Sequence, residues 1–140
     1  VNVIITVSPI RYAKYGYHGS QLSKAVLLLA TDKLEKEEGE TVYYFPAYEI
    51  VNDELRDYRF YKADMLHPNE QAVEYIWEQL VATCFSAEAK QFLEEWRPIK
   101  EALAHRPFHP EAAAYQDFIK KTKEKAKMLE LKYPNIELNL

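Results

Sequence analysis

Two short apolar segments with an amphipathic one between them open the chain. Residues 1–7 read Val-Asn-Val-Ile-Ile-Thr-Val, which is β-branched and almost continuously apolar, and Pro9 closes the segment. Such a run predicts a strand buried on both faces, because a half-buried strand alternates apolar with polar positions. Residues 41–45 read Thr-Val-Tyr-Tyr-Phe and are followed by Pro46, which predicts a second short strand.

A helix is predicted between these two strands. Ser20 is a candidate N-cap, and Gly39 follows Glu38, the expected last residue. Strand, helix and strand together make a βαβ unit, whose two strands should be parallel. The residues predicted to form the buried stripe of this helix recur at helical spacing: Leu22, Ala25, Val26, Leu29 and Ala30.

The middle of the chain has a less regular pattern. Residues 48–61 mix acids, aromatics and arginine without a clean period, which predicts a structured loop with room for one helical turn. Pro68 suits the first position of a further helix, and Glu70 in its first turn favours the helix dipole. The predicted buried face of that helix consists of Ala72, Val73, Ile76, Trp77, Leu80 and Val81.

Beyond Ser86 the pattern predicts two more amphipathic helices, separated by residues 105–110 with their two prolines. We therefore expect an α/β part over residues 1–84 and an appended helical extension over residues 85–140. The apolar positions of the two helices are Phe92, Leu93, Trp96, Ile99 and Leu103 in the first, and Ala114, Phe118, Ile119, Ala126 and Leu129 in the second.

Composition narrows the class of protein. The chain has 140 residues, of which 48% are hydrophobic and 14% aromatic, enough for a folded core. A net charge of −4 argues against a nucleic-acid partner, and no apolar run approaches the roughly 20 residues that span a membrane. The single cysteine, Cys84, fits a reducing compartment, and we expect a cytoplasmic protein. The chain begins at Val1 rather than Met, so we expect a trimmed N-terminus.

The most informative spacing is Asp64-Met-Leu-His67. A carboxylate three residues before a histidine can accept a hydrogen bond from Nδ1, which fixes the tautomer and leaves Nε2 free to act as a general base. A purely structural interpretation competes with this one. In it, Asp64 pairs with Arg59 and His67 caps the following helix.

Several segments together carry a family resemblance: Val7-Ser-Pro-Ile-Arg11, Ser23-Lys-Ala-Val-Leu-Leu-Leu29, Tyr43-Tyr-Phe-Pro-Ala-Tyr-Glu-Ile-Val51, Asp53-Glu-Leu-Arg-Asp-Tyr-Arg-Phe-Tyr61, Asp64-Met-Leu-His67, Asn69-Glu-Gln-Ala72 and Tyr75-Ile-Trp77. The chain resembles the GSCFA-domain family, which is similar to a branch of the SGNH (GDSL-type) hydrolases. The resemblance covers residues 1 to about 81 and does not extend to the helices beyond Ser86.

The resemblance implies an α/β fold, namely the C-terminal part of a flavodoxin-like three-layer sandwich with a Ser-His-Asp site. Asp64 would orient His67, and His67 would be the general base of ester hydrolysis or acyl transfer. The family's nucleophilic serine and its oxyanion-hole glycine and asparagine lie in an N-terminal half that precedes these motifs. We therefore expect a fragment that is inactive alone, acting when complete on a small-molecule or carbohydrate ester without a cofactor.

Two residues of the loop after the first strand are candidates for contacts with a substrate or an oxyanion. Ser8 ends the strand, although it also suits a turn before Pro9, and Arg11 could bind an anionic group or form a surface salt bridge. The alternative function is a non-catalytic binding or assembly module that keeps the Asp64-His67 motif for packing. A His67 that faces a cleft shared with this loop would favour catalysis, and a His67 sealed in the core would favour packing.

Three further features need an interpretation. His105 and His109 have a spacing found among zinc ligands, but Pro107 prevents a shared helical face, and we expect no metal site. Thr83-Cys-Phe-Ser-Ala87 echoes the family's naming motif, yet it lies at the end of a helix, so we interpret Cys84 as a packed thiol. The edge of the strand at residues 1–7 predicts a homodimer, unless the C-terminal helices cover it.

Overall fold

The computed structural model describes residues 1–138 and shows a mixed α/β chain that is mostly helical. Strand β1 (Val3–Ile5) pairs in parallel with β2 (Val42–Tyr44), with Ile4 opposite Tyr43. Backbone hydrogen bonds of 2.8 Å close the pair at both ends, where β1 bonds to Thr41 and Phe45 bonds back to β1. The predicted pair of parallel strands is confirmed.

The prediction that the first strand is buried on both faces is wrong. Val3 is 44% exposed and Ile4 is 51% exposed, whereas Val7, two residues beyond the strand, is buried. Within the described residues β1 has a single neighbouring strand, and the helix that connects the two strands packs mainly against β2. The strand is therefore paired along one edge and only partly covered on its faces.

The connecting helix, α1 (Gly16–Glu38), begins four residues before the predicted N-cap and follows a short 3₁₀ turn, Ala13–Tyr15. Ser20 lies buried inside the helix, and its hydroxyl oxygen accepts a hydrogen bond of 3.2 Å from the backbone N–H of Tyr12. The hydroxyl thus anchors the preceding loop, and its predicted role as N-cap is wrong. The predicted end at Glu38 is confirmed.

The face of α1 that packs inward is largely polar. Lys24 is buried and its Nζ donates to the carbonyl oxygen of Ser8 at 2.6 Å, while Glu35 Oε1 accepts the backbone N–H of Tyr44 at 2.7 Å. These hydrogen bonds tie α1 to the loop after β1 and to the C-terminal end of β2. The predicted apolar stripe consequently faces outward, with Leu29 71% exposed, and the prediction that it is buried is wrong.

The segment predicted to be a loop is mostly helical. A short helix α2 (Ala47–Glu49) continues as one stretch of π-helix, Ile50–Leu55, and a 3₁₀ turn follows at Tyr58–Phe60. Arg56, at a φ of 44°, ends the π-helical stretch in the left-handed region. The buried apolar side chains of this part of the chain are Val7, Phe45, Ala47, Ile50, Val51 and Ala72.

Helix α3 (Glu70–Cys84) begins two residues after Pro68, which instead forms an antiparallel bridge with Tyr61. Asn69 caps the helix, because its side-chain oxygen accepts the backbone N–H of Ala72 at 3.0 Å. Of the predicted buried face, Ala72 is fully buried, but Val73 and Trp77 are exposed. None of the helices within residues 1–138 combines the length and the apolar character needed to cross a membrane.

The chain divides into two compact units, Val1–Thr83 and a second unit that starts at Cys84. In the second unit the two helices that the sequence predicts are present as α4 (Ala87–Ala104) and α5 (Ala113–Lys132), and they pack against each other. Lys132 and Glu95 form an ion pair of 2.5 Å between these two helices. Their shared core consists of Ile99, Ala126, Leu129 and Tyr133, with Phe92, Trp96 and Leu103 packed against it.

Candidate active site

A tight turn over residues 62–67 carries the Asp-x-x-His motif. The backbone N–H of Lys62 donates to the carbonyl oxygen of His67 at 2.8 Å, and that of Met65 donates back to Lys62 at 2.9 Å. Met65 adopts a φ of 59°, in the left-handed region that non-glycine residues rarely occupy. The turn reverses the chain, with Asp64 and Met65 at its tip and His67 at its closing end.

The carboxylate of Asp64 bonds to both the backbone and the ring of the motif. Oδ1 accepts the backbone N–H groups of Leu66 and His67 at 2.8 and 3.0 Å, and Oδ2 lies 2.6 Å from Nδ1 of His67. These donors, the backbone N–H groups first, lower the pKa of Asp64 to about 2. Asp64 is therefore an anion at neutral pH and accepts the Nδ1 proton of a neutral His67 ring, which leaves Nε2 without a proton.

The purely structural interpretation of these residues is wrong in both of its parts. Arg59 pairs with Asp57, with 3.2 Å between Nη2 and Oδ2, rather than with Asp64. The cap of α3 is Asn69 rather than His67. The side chain of His67 is 53% exposed, so the ring is open to solvent instead of sealed in the core.

Arg11 connects the loop after β1 to the same turn. Its backbone N–H donates to the carbonyl oxygen of Leu66 at 3.0 Å, and its Nη1 donates to that of Met65 at 2.8 Å. Arg11 thus braces the backbone between Asp64 and His67. The residues lie 54 positions apart, and no local sequence signal could have revealed this contact.

Aromatic rings surround the Arg11 guanidinium, for which a surface salt bridge was one of the two predicted roles. The guanidinium carbon lies 4.5 Å from the ring centre of Tyr17, 5.3 Å from that of Tyr58 and 5.7 Å from that of Tyr61. In the described part of the chain no carboxylate pairs with it. Arg11 is therefore held by carbonyl oxygens and π faces.

The hydroxyl oxygens of Ser8 and Ser86 accept hydrogen bonds from nearby backbone N–H groups. Ser8 accepts the backbone N–H of Ile10 on its hydroxyl oxygen at 3.3 Å, as a turn residue does, and Ser86 caps α4 by accepting the backbone N–H of Ala89 at 3.1 Å. No serine hydroxyl within residues 1–138 is hydrogen-bonded to the His67 ring. Cys84, at the end of α3, is a half-buried free thiol.

A cleft of about 250 Å³ lies beside the loop after β1. Its walls include Arg11, Lys24, Arg56, Asp57 and three tyrosines, but neither Asp64 nor His67 lines it. The loop that carries Arg11 therefore forms one wall of the cleft and also bonds to the turn through Arg11. Neither Lys24 nor Arg56 was a sequence candidate, because a lysine on a helix or an arginine just after one does not differ in sequence from a solvated charge.

The histidines of the second unit lie at its surface. His109 Nδ1 is 3.5 Å from Glu111 Oε1, and both side chains are largely exposed. Within the described residues, no three histidine, cysteine or acidic side chains come together as a metal site would require.

Two family models match the sequence. The one described as the GSCFA family matches residues 1–80, and the one described as the GSCFA domain protein, C-terminal domain, matches residues 96–140. The second match extends the resemblance to α5 and to the second half of α4, for which the sequence motifs indicated no family. No curated protein and no solved structure matches the chain.

Proposed function

Because this chain belongs to the GSCFA family, we propose that it forms part of an SGNH-type hydrolase that cleaves or transfers the acyl group of a small-molecule or carbohydrate ester. In this proposal β1 and β2 are the last strands of a flavodoxin-like three-layer sandwich. Asp64 is the orienting carboxylate and His67 is the general base. The nucleophile is a serine outside these 140 residues.

The observation that carries the proposal is the 2.6 Å contact between Asp64 Oδ2 and His67 Nδ1. With Nδ1 committed to the carboxylate, Nε2 accepts the proton of the serine hydroxyl as that oxygen attacks the ester carbonyl. The anion at Asp64 stabilises the resulting imidazolium. His67 then returns the proton to the departing alkoxide, and a water or a second alcohol completes the reaction by the same route in reverse.

His67 is not sealed in the core, which argues against a packing role. It does not line the cleft beside the Arg11 loop, so the expected shared cleft is absent from the described residues. A histidine kept only for packing would be buried against apolar neighbours, whereas the His67 side chain is 53% exposed. The brace from Arg11 to Met65 and Leu66 holds the turn from outside the motif. Arg11, which holds this turn, is the first candidate for a contact with the substrate or an oxyanion. Ser8, whose hydroxyl accepts the Ile10 N–H, remains a second candidate for such a contact.

The test is to express the longest reading frame that contains this chain and to measure its hydrolysis of p-nitrophenyl esters. His67→Gln and Asp64→Asn should each lower kcat/KM at least about 100-fold, the contribution expected of a positioned general base and its partner. His109→Gln, at an exposed histidine of the second unit, is the matched control and should leave kcat/KM unchanged. Ester hydrolysis that survives His67→Gln, or a folded protein with no activity on any ester of the series, would contradict the proposal.

A further inference from the structure

The cleft beside the Arg11 loop has a charge opposite to that of the whole chain. Arg11, Lys24 and Arg56 line it, against the single carboxylate of Asp57. The chain as a whole carries a net charge of −4. Within residues 1–138, the ion pair of Asp57 is with Arg59, which does not line the cleft, and no carboxylate pairs with any of the three cations.

Neutral groups hold two of these three cations in place. Lys24 donates to the carbonyl oxygen of Ser8 at 2.6 Å, and its Nζ lies 5.9 Å from the ring centre of Tyr48. Arg11 donates to Met65 and faces the rings of Tyr58 and Tyr61. Carbonyl oxygens and π faces orient a cation but leave its net charge uncompensated.

Burial makes this uncompensated charge costly. Lys24 is only 8% exposed, and desolvation lowers the pKa of its ammonium group. A partly buried cation without a counter-ion is stabilised more by a bound anion than a solvated cation is. The local dielectric constant around it is lower, and fewer water molecules compete for the anion. The three cations lie on different elements of the first unit: Arg11 on the loop after β1, Lys24 on α1 and Arg56 at the end of the π-helix. The fold of that unit therefore brings them together.

We propose that this cleft binds a small organic anion, with its carboxylate or phosphate at the cationic side chains of Lys24 and Arg56 and its ring or chain against the tyrosine walls. A volume of about 250 Å³ accommodates a molecule of the size of a single sugar or aromatic acid. The inference stands apart from ester hydrolysis, since neither Asp64 nor His67 lines the cleft.

The experiment measures binding directly on the 140-residue chain. The protein is titrated at constant ionic strength with benzoate, phenyl phosphate and the uncharged benzyl alcohol, and the amide signals of Ile10, Lys24 and Asn52 are followed by NMR. We expect saturable shifts with at least one of the two anions, and an affinity for benzyl alcohol at least about tenfold weaker. The two anions separate a carboxylate site from a phosphate site.

Two variants and a control test whether the cleft cations are responsible. Lys24→Met and Arg56→Gln should each weaken anion binding about tenfold. Arg56 is exposed at a helix end, so Arg56→Gln remains decisive if replacing the buried Lys24 disturbs the fold. Lys33→Gln removes one positive charge from the exposed surface of α1 and should leave the affinity unchanged. Absence of saturable shifts with both anions, equal binding of benzyl alcohol, or unchanged affinity in Arg56→Gln would overturn the proposal.

Discussion

His67 contacts both oxygens of the Asp64 carboxylate: its backbone N–H donates to Oδ1 at 3.0 Å, and its ring Nδ1 lies 2.6 Å from Oδ2. The carboxylate therefore fixes the position of the ring relative to the ring's own backbone. A rotation of the His67 side chain away from this position would break a charge-assisted hydrogen bond. The orientation of the imidazole is thus determined within four residues of sequence.

Replacing Asp64 with Asn should change the tautomer of the neutral His67 ring. An amide has one oxygen, and if it serves the backbone N–H groups of Leu66 and His67, its NH₂ group faces Nδ1 and donates to it. The ring proton then moves to Nε2, the atom that a general base needs to keep free. Nitrogen-15 NMR of the ring reports the two tautomers.

Asp57→Asn is the control for this measurement. Asp57 forms a similar local turn by accepting the backbone N–H of Arg59 at 2.8 Å, but it makes no contact with His67. Its substitution should leave the His67 ring signals unchanged. An Asp64→Asn variant with the original tautomer would show that the carboxylate does not select it.

Acid should disrupt the turn only at very low pH. The backbone N–H groups of His67 and Leu66, and then the His67 ring, lower the pKa of Asp64 to about 2 from an ordinary value of 3.8. Since the folded pKa is lower than the unfolded one, the stabilising contribution of this group is fully present above about pH 4 and is lost as the pH falls toward 2. The carbon-13 shift of the Asp64 carboxyl group should titrate near pH 2 in the folded chain and near its ordinary value in urea. A folded midpoint at or above 3.8 would contradict the hydrogen-bonding pattern.

Met65 is the position in the turn most sensitive to backbone strain. Its φ of 59° places it in the left-handed region, where a β-branched side chain is strongly disfavoured. Met65→Val should lower the free energy of unfolding by about 1 to 2 kcal/mol, as measured by urea denaturation. Met65→Gly should stay within about 0.5 kcal/mol of the wild type, because relief of strain offsets the larger entropy of the unfolded chain. Equal losses in both variants would show that the side chain of Met65, and not its backbone, matters.

The local features of the site were predictable from the sequence, and the long-range ones were not. The contact between Asp64 and His67 closes over three residues, so the spacing made it one of two interpretations, and only the structure excluded the pairing of Asp64 with Arg59. The brace from Arg11 to Met65 spans 54 residues and depends on how the strands bring two loops together. Lys24 lies in the cleft for the same reason, since Ser8, its hydrogen-bond partner, belongs to a different element.

Helix α1 shows a second limit of sequence patterns. Periodicity predicted correctly that Leu22, Val26 and Leu29 share one face, but it cannot tell which face the rest of the chain covers. In this structure the covered face carries Lys24 and Glu35, whose side chains hydrogen-bond to backbone groups. The polar face is inward because it satisfies those groups, which apolar side chains could not do.

The 140-residue chain should not turn over simple acyl esters. A general base needs a nucleophile to activate, and within the described residues no serine hydroxyl bonds to the His67 ring. Hydrolysis of p-nitrophenyl acetate by the pure chain should not exceed that of the same concentration of urea-unfolded chain. Faster hydrolysis that disappears in His67→Ala would show that a nucleophile is present in this chain after all.

The outer edge of β1 should promote self-association. Within residues 1–138 the strand pairs only with β2, so its second edge offers backbone groups to another chain. Val3 and Ile4 are about half exposed beside that edge, and neither carries a charge that would discourage docking. We expect a dimer in sedimentation at micromolar concentration, joined near residues 1–7.

Two substitutions locate the contact. Ile4→Lys places a charge on the strand, which opposes edge pairing, and should shift the sedimentation toward the monomer. Leu131→Lys makes the same chemical change at an exposed position of α5 and should leave the dimer intact. If both variants dissociate, general loss of surface apolarity and not the strand is responsible. A wild-type chain that sediments as a monomer would contradict the prediction and show that the exposed edge of β1 does not pair with another copy. The physical reason would be that an edge of three residues forms too few contacts to offset the entropy lost on association.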